Sequence, residues 1–309
     1  GISSNIKGKL NFVGWEPGYK IGTELNIPWH RFIESDINFA SSYRLQNETS
    51  FSGRFFDFTT ALNISLTRYT DVFLRWRYEN VNIDTIKTDE DELQYSDKNT
   101  SGIGFGITND TRNNIMNTKK GHLIFFTGEI AGLTGMQVNK FSKFRMELRG
   151  FIPVFGSDIV FASSLRAGIL IPGNTKDPVA IQERFFLGGA SVMRGYSQNE
   201  FRKPEESRSD KPTGGNLYAA MNLAEFRLPV FSFLSTVAFI DAGSLWNLRD
   251  PTASAHLKSL NLSDIRYNYG FGLRIKTPLG VIRGDVGFKM FKKDNENLAA
   301  FHIGIGQAF

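Results

Sequence analysis

The 309-residue sequence contains no cysteine, which excludes disulfide frameworks and thiolate metal sites and is compatible with an oxidising envelope compartment. No run of 18 or more apolar residues occurs, so helical membrane spans are excluded on length. The four histidines, His30, His122, His256 and His302, are widely separated, and neither an HExxH motif nor a carboxylate cluster suits a metal. No G-x-S-x-G nucleophile elbow is present, so a non-enzymatic chain without metal or cofactor is expected. The opening GISSNIKGKL lacks the basic and apolar regions of a signal peptide. A net charge of +5 and a pI near 9.3 raise nucleic-acid binding, but the basic residues are scattered rather than gathered on one face, which argues against it.

What the chain does have is 28 Phe, 30 Gly and a hydrophobic share of 41%, at a mean hydropathy of −0.23 that would suit a soluble protein. Arrangement decides otherwise. Side chains along a strand project to alternate faces, and only one face of a membrane barrel meets lipid. Tyr267, Tyr269, Phe271, Leu273 and Ile275 alternate with Arg266, Asn268, Gly270, Gly272, Arg274 and Lys276. The same period sets Ile282, Val286, Phe288 and Met290 against Arg283, Asp285 and Lys289, and Phe144, Met146, Leu148 and Ile152 against Lys143, Arg145, Glu147 and Arg149. It also sets Val72, Leu74, Trp76 and Tyr78 against Phe73, Arg75, Arg77 and Glu79.

Soluble sandwiches alternate too. Segment length favours a barrel, because a tilted membrane strand needs roughly 9 to 11 residues and many segments reach that. About 14 strands are expected, near 4–13, 18–28, 34–46, 55–67, 70–84, 99–110, 121–132, 142–153, 158–171, 214–228, 234–246, 266–277, 280–291 and 299–309. Polar connections at 85–98, 172–184, 202–213 and 247–265 read as outer loops. Pro28-Trp29, Pro153-Val154, Pro229-Val230 and Pro278-Leu279 read as short turns on the other rim. The expected fold is all-β, a transmembrane antiparallel β-barrel, with residues 1–309 forming a single domain.

One connection stands apart. From about 188 to 213 the chain is longer than an ordinary loop, and loops beyond about 15 residues are usually functional or disordered. It contains Gly188, Gly189, Met193, Arg194, Gly195 and Tyr196. The glycines permit positive φ or close backbone approach, as a loop folded into a lumen requires, although an ordinary loop glycine is the plain alternative. Gly102, Gly104 and Gly106 lack a following helix and read as small lumen-facing residues rather than a phosphate cradle.

Over 184–201 the sequence resembles the outer-membrane assembly superfamily typified by BamA and TamA, whose barrel holds an inward-folded loop with a Val/Met-Arg-Gly-Phe/Tyr tip. Met193-Arg194-Gly195-Tyr196 matches that tip. The ordered matches continue at Asn109-Asp110-Thr111-Arg112-Asn113 with Lys120-Gly121, Gly214-Gly215-Asn216-Leu217-Tyr218, Glu225-Phe226-Arg227-Leu228-Pro229, Phe239-Ile240-Asp241-Ala242-Gly243 and Thr277-Pro278-Leu279-Gly280. Together they cover roughly the C-terminal two thirds.

The resemblance implies 16 strands with five after the loop, against nine before and five after counted here. It also implies periplasmic POTRA modules, whose βααββ pattern is not found, so neither these nor an enzymatic domain is expected within the chain. It places the partners of Arg194 at Glu225 and Asp241. A guanidinium is a permanently charged, rigid fork that carboxylates on a wall can fix. The period leaves Asp241 ambiguous, since Val237 and Phe239 share its face. The plain alternative is a solvated Arg194. Arg145, Arg149, Arg166 and Arg274 read as scattered lumen lining.

The final strand, with Phe301, Ile303, Gly304, Ile305, Gly306 and Phe309, resembles the C-terminal signal of outer-membrane barrels and, by the same resemblance, the strand that closes against the first in a seam able to open. Its glycines weaken pairing or relieve crowding. The resemblance implies a bacterial outer-membrane barrel among lipids that assists insertion of unfolded β-barrel clients or translocates secreted polypeptide, with periplasmic assembly partners reached through upstream modules. The alternatives are an anchor for a fused passenger such as a patatin-like phospholipase, and a passive pore.

Overall fold

The computed structural model describes residues 3–5, 8–9, 12–13, 16–17, 19–29, 34–48, 50–87, 99–133, 139–154, 158–173, 179–203, 212–247, 261–278, 280–293 and 296–309. The long strands are β5 (Tyr19–Trp29), β6 (Ser35–Asn47), β7 (Phe51–Thr67), β8 (Thr70–Ile86), β9 (Thr100–Asp110), β10 (Gly121–Ala131), β11 (Phe141–Val154), β12 (Ile159–Pro172), β13 (Leu217–Pro229), β14 (Leu234–Trp246), β15 (Arg266–Thr277), β16 (Gly280–Lys289) and β17 (Ala299–Ile305). Each pairs antiparallel with its neighbour in sequence, so the sheet is one meander.

The strand expected near 4–13 differs. It is two short pieces, β1 (Ser3–Asn5) and β2 (Gly8–Lys9), both paired with β5, followed by a small hairpin of β3 (Phe12–Val13) and β4 (Glu16–Pro17). The strand expected to begin at 214 begins at Leu217, because Gly214 sits at φ +73 and Gly215 bridges to Phe185 instead. Much of the connections expected at 85–98, 202–213 and 247–265 lies outside the described residues.

The faces follow the alternation. Leu74, Trp76, Ile103, Phe105, Ile107, Phe271, Leu273, Phe301, Ile303 and Ile305 are exposed and point outward, while Glu79, Asn268, Arg274 and Asp285 are buried and point inward. A belt of apolar side chains running from β8 to β17 far exceeds what a soluble surface carries and is stable only against lipid. Gly102 and Gly106 do face the lumen, where a Cβ would crowd Glu129 and the Phe73 ring.

Contacts of the long loop show how far the sheet curves. Asn199 donates to Glu48, just beyond β6, at 2.7 Å, and the Arg194 carbonyl accepts from His302 of β17 at 3.1 Å. β6 and β17 are 11 places apart in the strand order, roughly 53 Å in a flat sheet. Five residues of loop span roughly 18 Å at most. The sheet is therefore rolled around the loop. Among the described residues no hydrogen-bonded ladder joins β17 to β1.

Candidate functional site

The loop between β12 and β13 enters the lumen through a single 3-10 turn, Ile181–Glu183, and folds back on itself. Gly188 (φ +103) and Gly189 (φ +121) form the neck, where the Gly189 amide bonds to the Tyr196 carbonyl and Phe201 N–H bonds to the Leu187 carbonyl. Met193 adopts φ +56, an uncommon conformation for a side chain of its size, and is fully buried. That turn aims the next residue at the wall.

Arg194 is 0% exposed, as are Glu225 on β13 and Asp241 on β14. Its Nη1 donates to Glu225 at 2.6 Å, its Nη2 and Nε donate to Asp241 at 2.8 and 3.0 Å, and its backbone N–H reaches the same Asp241 at 3.1 Å. The guanidinium lies 3.4 Å from the centroid of the Phe239 ring. Burial alone would lower its pKa, but Asp241 and then Glu225 outweigh that and raise it. The ambiguity at Asp241 disappears: Val237, Phe239 and Asp241 all face inward, and the apolar pair is the floor on which the loop tip rests.

A β-bulge between Asn222 and Ala224 shifts the register of β13. It lets Asn222 and Glu225, three residues apart, both point inward, and Asn222 donates to Asp241 at 2.8 Å. Asn222 belongs to the site and has no signature in the alternation. Gly195 packs on Asn268 of β15, and Gly287 of β16 lies under the Arg194-Gly195 peptide, where a Cβ would come within 2.7 Å of the Gly195 nitrogen. The tip thus touches β13, β14, β15, β16 and β17. Tyr196 is buried against Phe201, with Lys289 Nζ 4.3 Å from its ring.

A second anchor holds the loop to the opposite wall. Glu183 accepts from Arg77 Nη2 at 2.8 Å and Lys143 Nζ at 3.2 Å, and Lys143 also donates to the Glu183 carbonyl at 2.6 Å. Burial pushes the Glu183 carboxyl up, but Arg77 and Lys143 prevail and hold it near 2. Glu183 has no signature in the sequence, because a glutamate in a loop carries no sign of the two cations that meet it.

The final strand, expected over 299–309, is shorter. β17 ends at Ile305, because Gly306 takes φ +91 and turns the chain inward. Phe301, Ile303 and Ile305 face outward, but Phe309 is buried in the lumen against Phe151, 6.0 Å between centroids, with Val160 and Ala162. Its carbonyl accepts from Arg227 at 3.3 Å, and Arg227 also bonds Glu225 and the Thr118 carbonyl. Phe309 therefore lies beyond the strand, inside the lumen. Gly304 faces inward beneath Arg283, where a Cβ would lie 3.0 Å from its Nε. Among the described residues no group of three or more potential ligands could hold a metal.

A family model described as the Omp85 superfamily domain matches residues 5–309. The chain belongs to the Omp85 superfamily. It is 30% identical over 207 residues to a cattle protein, Sorting and assembly machinery component 50 homolog, a match covering 60% of this chain and 42% of that protein. It is 26% identical over 213 residues to the outer membrane protein assembly factor BamA of Neorickettsia risticii, covering 68% of this chain and 27% of the relative. The chain thus spans less than half the length of these relatives. In fold it resembles BamA from Haemophilus ducreyi lacking POTRA domains 1-3, with a TM-score of 0.79 at 14% identity over 94% of this chain and 62% of that one. It also resembles CdiB from Acinetobacter baumannii, with a TM-score of 0.59 at 14% identity, covering 94% and 50%.

Proposed function

We propose that this Omp85 barrel assists the insertion of β-barrel proteins into a bacterial outer membrane, acting without covalent chemistry. The observation that carries the reading is the reach of the Arg194 tip, which contacts all five strands after the loop, His302 of β17 included. An edge strand exposes backbone donors and acceptors that cost several kcal/mol each in lipid, so an incoming client strand is bound by satisfying them. The loop, pinned at Glu225 and Asp241, holds the lumen side of β13–β17 in place while the edge of β17 exchanges partners. Partners on this reading are outer-membrane lipids, unfolded β-barrel clients or secreted polypeptides, and periplasmic assembly proteins. Kinship with factors named for assembly supports it.

The absence of cysteine makes the test clean. One engineered cysteine in β1 and one in β17, bridged by a reducible bifunctional thiol cross-linker, would lock the seam in reconstituted vesicles. Cross-linking, verified by gel shift, should abolish client insertion and reduction should restore it, and insertion unaffected by the verified lock would refute the proposal. Arg194→Ala should lower insertion as well. If that variant instead raised planar-bilayer current and left insertion unchanged, the barrel would be a passive pore.

A further inference from the structure

Most lumen charges near the loop tip are matched. Arg194 and Arg227 balance Glu225 and Asp241, and Arg274 pairs with Asp285 at 2.6 Å. Arg149 and Arg166 share one carboxylate, Glu147, at 2.8 and 2.5 Å. Arg145, also inward by register, has no ion pair among the described residues and is exposed to the lumen. Arg283 is the sharpest case. It is 7% exposed, its Nε and Nη1 have no hydrogen-bond partner, and its Nη2 reaches only Ser191 Oγ at 3.5 Å. The carbonyl of that same Ser191 accepts from Arg166 at 2.8 Å. One loop residue therefore lies between two guanidiniums, from β12 and from β16, on a wall with more cations than carboxylates.

An unpaired buried guanidinium is unstable unless something supplies acceptors and negative charge. Its orphaned Nε and Nη1 point from different edges of the guanidinium and leave N–H donors open to more than one oxygen ligand. Gly304 matters here, because a Cβ at that position would lie 3.0 Å from Nε and press on Arg283 where it lies over β17. We propose that Arg283, with Ser191 and Arg166, forms an oxyanion site beneath the loop tip, taking a phosphate or carboxylate group. Occupancy completes the hydrogen bonding of Arg283 and ties the loop to β16, so binding and the inward loop position stabilise each other. The site stands independently of the assembly reading.

The test uses the full chain in detergent micelles and the unfolding midpoint seen by heat-modified gel mobility. Inorganic phosphate, compared with chloride at equal ionic strength, should raise the wild-type midpoint by about 2–4 °C. Arg283→Met should lose that response and unfold at or above the wild-type midpoint without phosphate, because it removes a buried charge that no carboxylate pairs directly. Arg54→Gln, at an exposed pair with Asp84, should keep the response. A response retained in Arg283→Met, absent in the wild type, or accompanied by a lower phosphate-free midpoint in Arg283→Met would overturn the proposal. Hexaglutamate in place of phosphate distinguishes the sources: a matching shift assigns the site to polypeptide carboxylates, and none assigns it to free anions.

Discussion

Asp241 receives both the backbone N–H and the guanidinium of Arg194, so one carboxylate fixes the position of the loop's main chain and the direction of its side chain together. Glu225 completes the cage from the next strand and is itself shared with Arg227. Since all three charged groups of the cage are fully buried, none is replaceable by water without rearrangement.

Removing one partner leaves a buried charge uncompensated, which costs about 3–5 kcal/mol, whereas exchanging the whole pair for apolar residues is often neutral. Asp241→Leu should therefore destabilise the barrel strongly. Adding Arg194→Met to it should recover much of the loss in the denaturation midpoint while leaving the loop unpinned. A double variant as unstable as the single one would contradict this account.

At the opposite wall, Glu183 has its folded pKa depressed to about 2, below its ordinary 4.5. A depressed carboxyl contributes stability that is fully present above the unfolded value and lost as pH falls through the folded one. Hydrogen exchange over residues 179–203 should be flat from pH 7 to about 5, once corrected for intrinsic rates, and protection should decline below about 4.5 towards 2. In Glu183→Gln that acid-dependent component should vanish.

Phe309 and Phe301 should respond in opposite ways to their apparent places at the chain end. Phe309→Ala empties a packed lumen site and strips Arg227 of ordered support, costing about 3 kcal/mol or more. Phe301 lies on the outward face, so Phe301→Ala should cost less in micelles, which still solvate that face. Equilibrium urea unfolding of the two variants decides the order.

The outline of the fold was legible because a strand writes its two faces into the sequence with a period of two. Leu74 and Trp76 against Arg75 and Arg77 already separate lipid from lumen, and the strands from β6 to β16 fall close to the expected segments. The motif residues Met193 to Tyr196 were equally legible as a resemblance. Asn222 and Glu183 were not. Asn222 points inward beside Glu225 only because a bulge breaks the period, and Glu183 matters only because Arg77 and Lys143 arrive from β8 and β11. The inward place of Phe309 was hidden for a related reason: Gly306 turns the tail inward where simple alternation continues the strand.

By itself the sequence determined which segments become strands, which face of each meets lipid, and which loop carries Arg194 among glycines, since all of these depend on neighbours two or a few residues away. The tertiary structure alone decided that this arginine meets Asp241, 47 positions along the chain, that His302, 108 positions away, caps its carbonyl, and that Nε and Nη1 of Arg283 are left without acceptors. Those relationships depend on how far the sheet rolls and where it bulges, and rolling sums small twists over many strands.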